Sequence, residues 1–227
     1  MSSAQAPGGA RCEARHFRIG VLISGKGSNL QALIDDLKDA PIEIAGVASS
    51  RPDARGVERA RAAGLETAVF SLADEPDRET RDAALGDWLE ERKVDLVVLA
   101  GFMELLTPTF IRRFPGRIVN IHPALLPSFA GLRAVAQALE YGVRIAGVTV
   151  HFVDEGMDSG PIILQEALEL PYHRGIDAMS EPEIEAIDEL FHEVEHRLLP
   201  KAVRLIAAGR VSVDPDNPRL VRVEADG

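Results

Sequence analysis

The chain carries a single cysteine, no cluster of lysine and arginine, and no apolar run of 18 residues, and each shortage closes off a class of protein. Cys12 alone cannot form an intramolecular disulfide, so a reducing compartment fits better than secretion; it also lies in a Gly/Ala-rich stretch, a poor setting for a nucleophile. With no basic cluster and a formal net charge of −11, nucleic acid is not expected as a partner, because phosphate neutralisation dominates such binding. The opening "MSSAQAPGGARCEARHF" has no apolar core for a signal peptide, so neither a membrane partner nor export is expected and the protein is placed in the cytoplasm. Residues 1–15 read as a disordered tail and 16–227 as one domain, since 227 residues suffice for a single sizeable α/β core. The sequence does not set the oligomeric state, and a homodimer stays open.

What is present is alternation. From Phe17 onward apolar β-rich runs ("RIGVLIS", "IEIAGVAS", "ETAVFS", "VDLVVLAG", "RIVNIH") take turns with amphipathic stretches at 29–38, 55–63, 78–92 and 107–113. That order predicts an α/β fold, a Rossmann-like, mostly parallel sheet with helices on both faces. A helix "AVAQALEYG" comes next, then the β-rich runs "IAGVTVHFVD" and "PIILQEALEL", joined by the Gly- and Asp-rich loop "DEGMDSG". A long charged helix over 181–208 and a terminal hairpin "GRVSVDPDNPRLVRV" read as covers for the sheet edge.

Two motifs invite sharper chemistry. "ISGKGSNLQALI" is a strand, a Gly-rich turn and a helix start, with Ser28 or Asn29 placed as cap. It fails as a dinucleotide fingerprint at Leu30, and as a P-loop at Gly27, where a Ser or Thr would have to reach Mg²⁺. A site for one terminal phosphate on the backbone of Lys26, Gly27 and Ser28 fits better, against the plainer option of a tight turn. "HEVEH", His192 to His196, matches H-E-x-x-H, yet no third zinc ligand comes after it except acids near the terminus, so a solvated helix face is preferred and no metal is expected.

"NIHPALLP" holds the most specific signal. At a strand end, Asn120 and His122 fall on one face while Ile121 points away, and Pro123 stops the strand. A neutral amide and an imidazole side by side can stabilise an oxyanion, and Asp154, Glu155 and Asp158 of "DEGMDSG" are candidates to hold an imidazolium or relay a proton. No Ser or Cys nucleophile accompanies them, so the set suits direct attack by a substrate amine on a carbonyl or formyl carbon, with Asp158 taking the amine's proton through water. His151, in an alternating strand, reads as a structural histidine; His16 and His173 fall in loops, and Trp88 in the core.

"VLISGKGSNLQALID", "VVLAGFMELL", "GRIVNIHPALLPSF" and "GVTVHFVDEGMDSGPIILQ" together resemble the monofunctional glycinamide ribonucleotide transformylases, over residues 18–206. The resemblance implies formyl transfer from 10-formyltetrahydrofolate, a co-substrate, to the amino group of glycinamide ribonucleotide, without metal. By that likeness Asn120, His122 and Asp158 are catalytic, and Lys26, Gly27, Ser28 and Glu195 meet the ribonucleotide. The folate would lie against Met103, Glu104, Leu105 and Leu106, the loop residues Asp154, Glu155, Gly156 and Met157, and Arg78. Glu104 stands where some relatives carry Arg, and Ala130 and Arg133 replace a commoner Pro and His. Similar hydrolases carry an added N-terminal domain, and formyltransferases acting on tRNA an added C-terminal one with a basic surface; neither is expected here.

Overall fold

The computed structural model describes residues 16–171 and 175–224. The expectations for the 1–15 tail, Cys12 and His173 lie outside the described residues. Five β-α units come first: β1 (Phe17–Ile23), α1 (Ser28–Leu37), β2 (Ile42–Ser49), α2 (Arg55–Ala62), β3 (Thr67–Val69), α3 (Arg78–Glu91), β4 (Leu96–Leu99), α4 (Pro108–Arg113), β5 (Ile118–His122) and α5 (Ala134–Tyr141). After them come β6 (Ile145–Phe152), β7 (Ile162–Glu169), α6 (Glu181–Ala207), β8 (Val211–Val213) and β9 (Val221–Val223).

β1 to β7 form one sheet in the order β3-β2-β1-β4-β5-β6-β7. β1 to β5 are parallel, whereas β6 runs antiparallel to β5 and β7 antiparallel to β6. Parallel strands are covered on both faces and so need apolar residues at successive positions. Alternate residues of β1 and β4 accordingly enter two clusters. Ile19, Val21, Ile23, Leu96 and Val98 pack with α1, α2 and α6, and Leu22, Val97 and Leu99 pack with α3 and α4.

Three helix starts are capped by side chains. Asp77 caps α3 by accepting the Thr80 N–H at 2.8 Å, Thr107 caps α4 ahead of Pro108, and Ser180 with Glu183 forms a reciprocal box at α6. α1 departs from expectation. Its cap is Gly27 at φ 73°, without a side-chain bond, and Ser28 and Asn29 already lie inside the helix. The left-handed turn brings Gly27 against the backbone of Gly56, so close that a Cβ at Gly27 would lie 2.5 Å from the Gly56 Cα.

α6 also lies elsewhere than expected. Its stripe of Ile187, Phe191, Val194 and Leu198 packs onto the face of β6 and β7 and against α1, rather than along the sheet edge. A helix with an apolar row at spacings of three and four gains most by burying that row on a flat apolar surface, at about 1.5–3 kcal/mol per large side chain. The hairpin does sit at the edge strand, with β9 against β7. Among the described residues no helix is long and apolar enough to cross a membrane.

Candidate active site

β1 leads to β2 on one side while β4 lies on its other side, so the strand order reverses between the carboxyl ends of β1 and β4, the position where open α/β sheets form a crevice. A cleft of about 1430 Å³ opens there, reaching the ends of β5 and β6. Asn120 and His122 both line it, as the period of two requires. Thr149 pins the turn beyond His122, its hydroxyl donating to the Ala124 carbonyl at 2.6 Å and accepting the Leu126 N–H at 3.2 Å.

Because β6 pairs antiparallel with β5, His151 stands directly opposite Asn120 and on the same face. Asn120 Nδ2 is 3.3 Å from His151 Nε2 and 3.3 Å from Asp158 Oδ1. Asp158 Oδ1 is also 3.6 Å from His151 Nε2, and its Oδ2 accepts the Gly131 N–H at 2.8 Å and lies 3.4 Å from His122 Nδ1. A carbonyl oxygen can only accept, which fixes one proton on each ring. His122 Nε2 donates to the Phe129 carbonyl at 2.9 Å, leaving Nδ1 to Asp158. His151 Nδ1 donates to the Phe152 carbonyl at 2.8 Å, leaving Nε2 to Asn120 and Asp158.

Burial alone would favour the neutral acid at Asp158. It is outweighed by the hydrogen bond from His151, the Gly131 N–H and the charges of His122 and His151, which lower the carboxyl from 3.8 to about 2. Asp158 and Phe129 both hold φ in the left-handed region, at 48° and 53°. Such conformations cost of order 1–3 kcal/mol each and persist where the surroundings over-determine them.

The structure brings the expected residues into two groups. Arg78, Met103 to Leu106 and Asp154 to Asp158 line the same cleft as Asn120 and His122. Gly27, Ser28 and Glu195 gather instead at the start of α1, where Asn29 Nδ2 donates to Glu195 Oε2 at 2.9 Å; Lys26 is exposed beside them. Glu195 is 7% exposed, and burial pushes its carboxyl up, against the Asn29 hydrogen bond and the His192 charge. The groups meet through Ser24 at the end of β1, whose hydroxyl takes the Met103 N–H at 2.9 Å and contacts Ser50 Oγ at 2.7 Å. α6 also spans both, with Asp188 in the cleft lining and Glu195 at α1.

His192 and His196 stack with ring centres 5.7 Å apart, and Glu195 between them in sequence is turned to Asn29. Among the described residues no group of three or more His, Cys, Asp or Glu is placed to hold a metal ion. Sequence reasoning named Asn29 only as a cap and His151 as structural, and did not foresee the Asn29–Glu195 bond, the Ser24–Met103 bond or the approach of His151 to Asn120. For His151 the available signal was its place in a strand leading into "DEGMDSG"; its partner Asn120 is set by pairing, which periodicity does not reveal.

A formyl transferase family model matches residues 17–203. The chain belongs to the formyl transferase family, among the phosphoribosylglycinamide formyltransferases. The enzyme of that name from Haemophilus influenzae is 41% identical over 86% of this chain and 89% of its own. The trifunctional purine biosynthetic protein adenosine-3 of Drosophila melanogaster is 41% identical over 89% of this chain, which spans only 15% of that protein's length. Glycinamide ribonucleotide transformylase 1 from Symbiobacterium toebii has a solved structure that superposes with a TM-score of 0.84, at 43% identity, covering 96% of this chain and 99% of that one. The mostly parallel seven-stranded sheet is thus that of known phosphoribosylglycinamide formyltransferases.

Proposed function

We propose that this formyltransferase moves the formyl group of 10-formyltetrahydrofolate to the amino group of glycinamide ribonucleotide in the cytoplasm, with 16–227 as one domain and Asn120, His122 and Asp158 at the reacting centre. The observation that carries the residue roles is the meeting of these three side chains in a cleft also lined by Met103–Leu106 and Asp154–Met157.

The amine attacks the formyl carbon directly, since the centre offers amide, imidazole and carboxylate but no Ser or Cys nucleophile. Asn120 and His122 stabilise the tetrahedral oxyanion, and the anionic Asp158 orients His122 through Nδ1. A carboxyl at about 2 keeps a proton poorly at neutral pH, so Asp158 passes the amine's proton onward through water to the folate N10, and the intermediate collapses with cleavage of the bond from the formyl carbon to N10, releasing tetrahydrofolate. His151 shares Asp158 with His122 and orients Asn120. The ribonucleotide phosphate rests on Lys26, Gly27 and Ser28, with Glu195 facing the same substrate. Arg78, which lines the cleft, meets the folate.

An initial-rate assay in chelator, following loss of the formyl group with and without glycinamide ribonucleotide, tests the reading. Folate turnover only with the ribonucleotide present is the expected result. Turnover without it would make the chain a hydrolase, and no turnover in either case would sink the proposal.

A further inference from the structure

α3 places two charged side chains out of water: Arg81 is 0% exposed and Asp82 1%. Their Nε and Oδ1 atoms are 2.6 Å apart. A buried ion pair adds little to stability unless its remaining polar atoms are satisfied, and among the described residues Arg81 Nη1 has no hydrogen-bond partner. The pair is therefore hard to account for as a device for stability alone.

Among the described residues its side-chain hydrogen bonds and ring contact outside α3 all go to one segment. Asp82 Oδ2 accepts the Thr107 N–H at 2.6 Å, Arg81 Nη2 donates to the Leu105 carbonyl at 3.4 Å, and the guanidinium lies 5.7 Å from the centre of the Phe102 ring. The segment 102–107 links β4 to α4 without regular structure and forms one wall of the cleft. Met103 and Leu105 are 66% and 52% exposed, so these side chains do little to hold it. With the Met103 N–H on Ser24 and the Thr107 carbonyl accepting the Ile111 N–H of α4, its backbone is pinned at four atoms among the described residues, two of them by the buried pair. A wall that reads a flat heterocycle through main-chain N–H and C=O groups binds well only if those groups are fixed beforehand.

We propose that Arg81 and Asp82 are positioning residues for the folate co-substrate, fixing the backbone of 102–107 so that it meets the pterin ring in a ready-made shape. This rests on the reading of the cleft as the folate site. Neither side chain touches the reacting atoms.

The test uses the full chain with Arg81→Met/Asp82→Asn, which removes both charges together and leaves no lone buried charge, and Arg81→Lys as a milder variant. Calorimetry measures affinity for 5-formyltetrahydrofolate and, separately, for glycinamide ribonucleotide; hydrogen exchange tracks 102–107 against β5. Folate affinity should fall about 10-fold or more while ribonucleotide affinity stays within about 2-fold, with faster exchange confined to 102–107. Arg81→Lys should fall between, since it keeps the charge but lacks the fork that reaches Leu105. Unchanged folate affinity in a folded double variant overturns the proposal, and so does an equal loss of both affinities. An unaltered chain that binds both ligands but transfers no formyl group defeats the transfer reading alone, because the affinity comparison still decides the role of the pair. An unaltered chain that does not bind the folate defeats both.

Discussion

Asp158 draws together an amide, two imidazoles and a main-chain N–H, and its charge results from that company. Its folded pKa, about 2, is below the ordinary 3.8, so the fold gains stability from it above about pH 3.8 and loses that gain as pH falls through about 2. Asp158→Asn should therefore unfold more easily than the parent near neutral pH, with the difference in urea midpoint closing toward pH 2, and turnover should drop by about 10²–10⁴. Glu195 has the opposite sign. Its pKa is raised, so the folded state keeps a proton that the unfolded chain releases, and stability is lost as pH rises beyond the ordinary 4.5. Glu195→Gln keeps an acceptor for Asn29 and should melt higher than the parent at pH 8 with a smaller gain at pH 4, while the Michaelis constant for the ribonucleotide rises. Asn120 and His122 were legible from the sequence because a period of two decides their shared face. His151 was legible only as a strand residue, since its meeting with Asn120 depends on a register between strands far apart in sequence.

At the scale of elements, loops carry the site and strands aim it. The 154–158 loop returns at Gly160, where an added Cβ would lie 1.8 Å from the Phe152 carbonyl oxygen. Gly160→Ala should displace the loop, cost of order 1–3 kcal/mol in urea unfolding and lower turnover further than that loss of stability explains, because Asp158 moves with it. The order of helices and strands was readable from alternating periodicity, within a residue or two for most helices. The placing of α6 was not. Its charge suggested an edge, whereas the row Ile187, Phe191, Val194 and Leu198 commits it to a sheet face and thereby delivers Glu195 to α1. The cap of α1 was misjudged for a related reason: Ser28 and Asn29 are good capping residues by type, but the approach of Gly56 winds the turn through Gly27.

For the whole molecule, composition set the class and topology set the place. A net charge of −11 surrounds a site proposed to take an anionic ribonucleotide and a folate, so long-range forces oppose arrival and short-range donors must hold what comes. Raising ionic strength from about 0.01 M to 0.1 M shortens the screening length from about 30 Å to 10 Å. kcat/KM for the ribonucleotide should then stay level or rise; a steep fall would show that local cations, not the net charge, govern encounter. The crevice at the strand-order reversal could be expected from the βα alternation, but the antiparallel turn of β6 and β7, which completes the centre, has no counterpart in the parallel pattern that precedes it.

The pairing of β6 with β5 also has a meaning in time. During synthesis Asn120 emerges 31 residues before His151 and 38 before Asp158, and Asn29 emerges 166 residues before Glu195. The parallel half can therefore be assembled while the centre still lacks its carboxylate. If the proposed roles hold, a nascent chain or a proteolytic fragment ending before β6 carries Asn120 and His122 without Asp158, and formyl transfer is expected only once the later strands have joined the sheet.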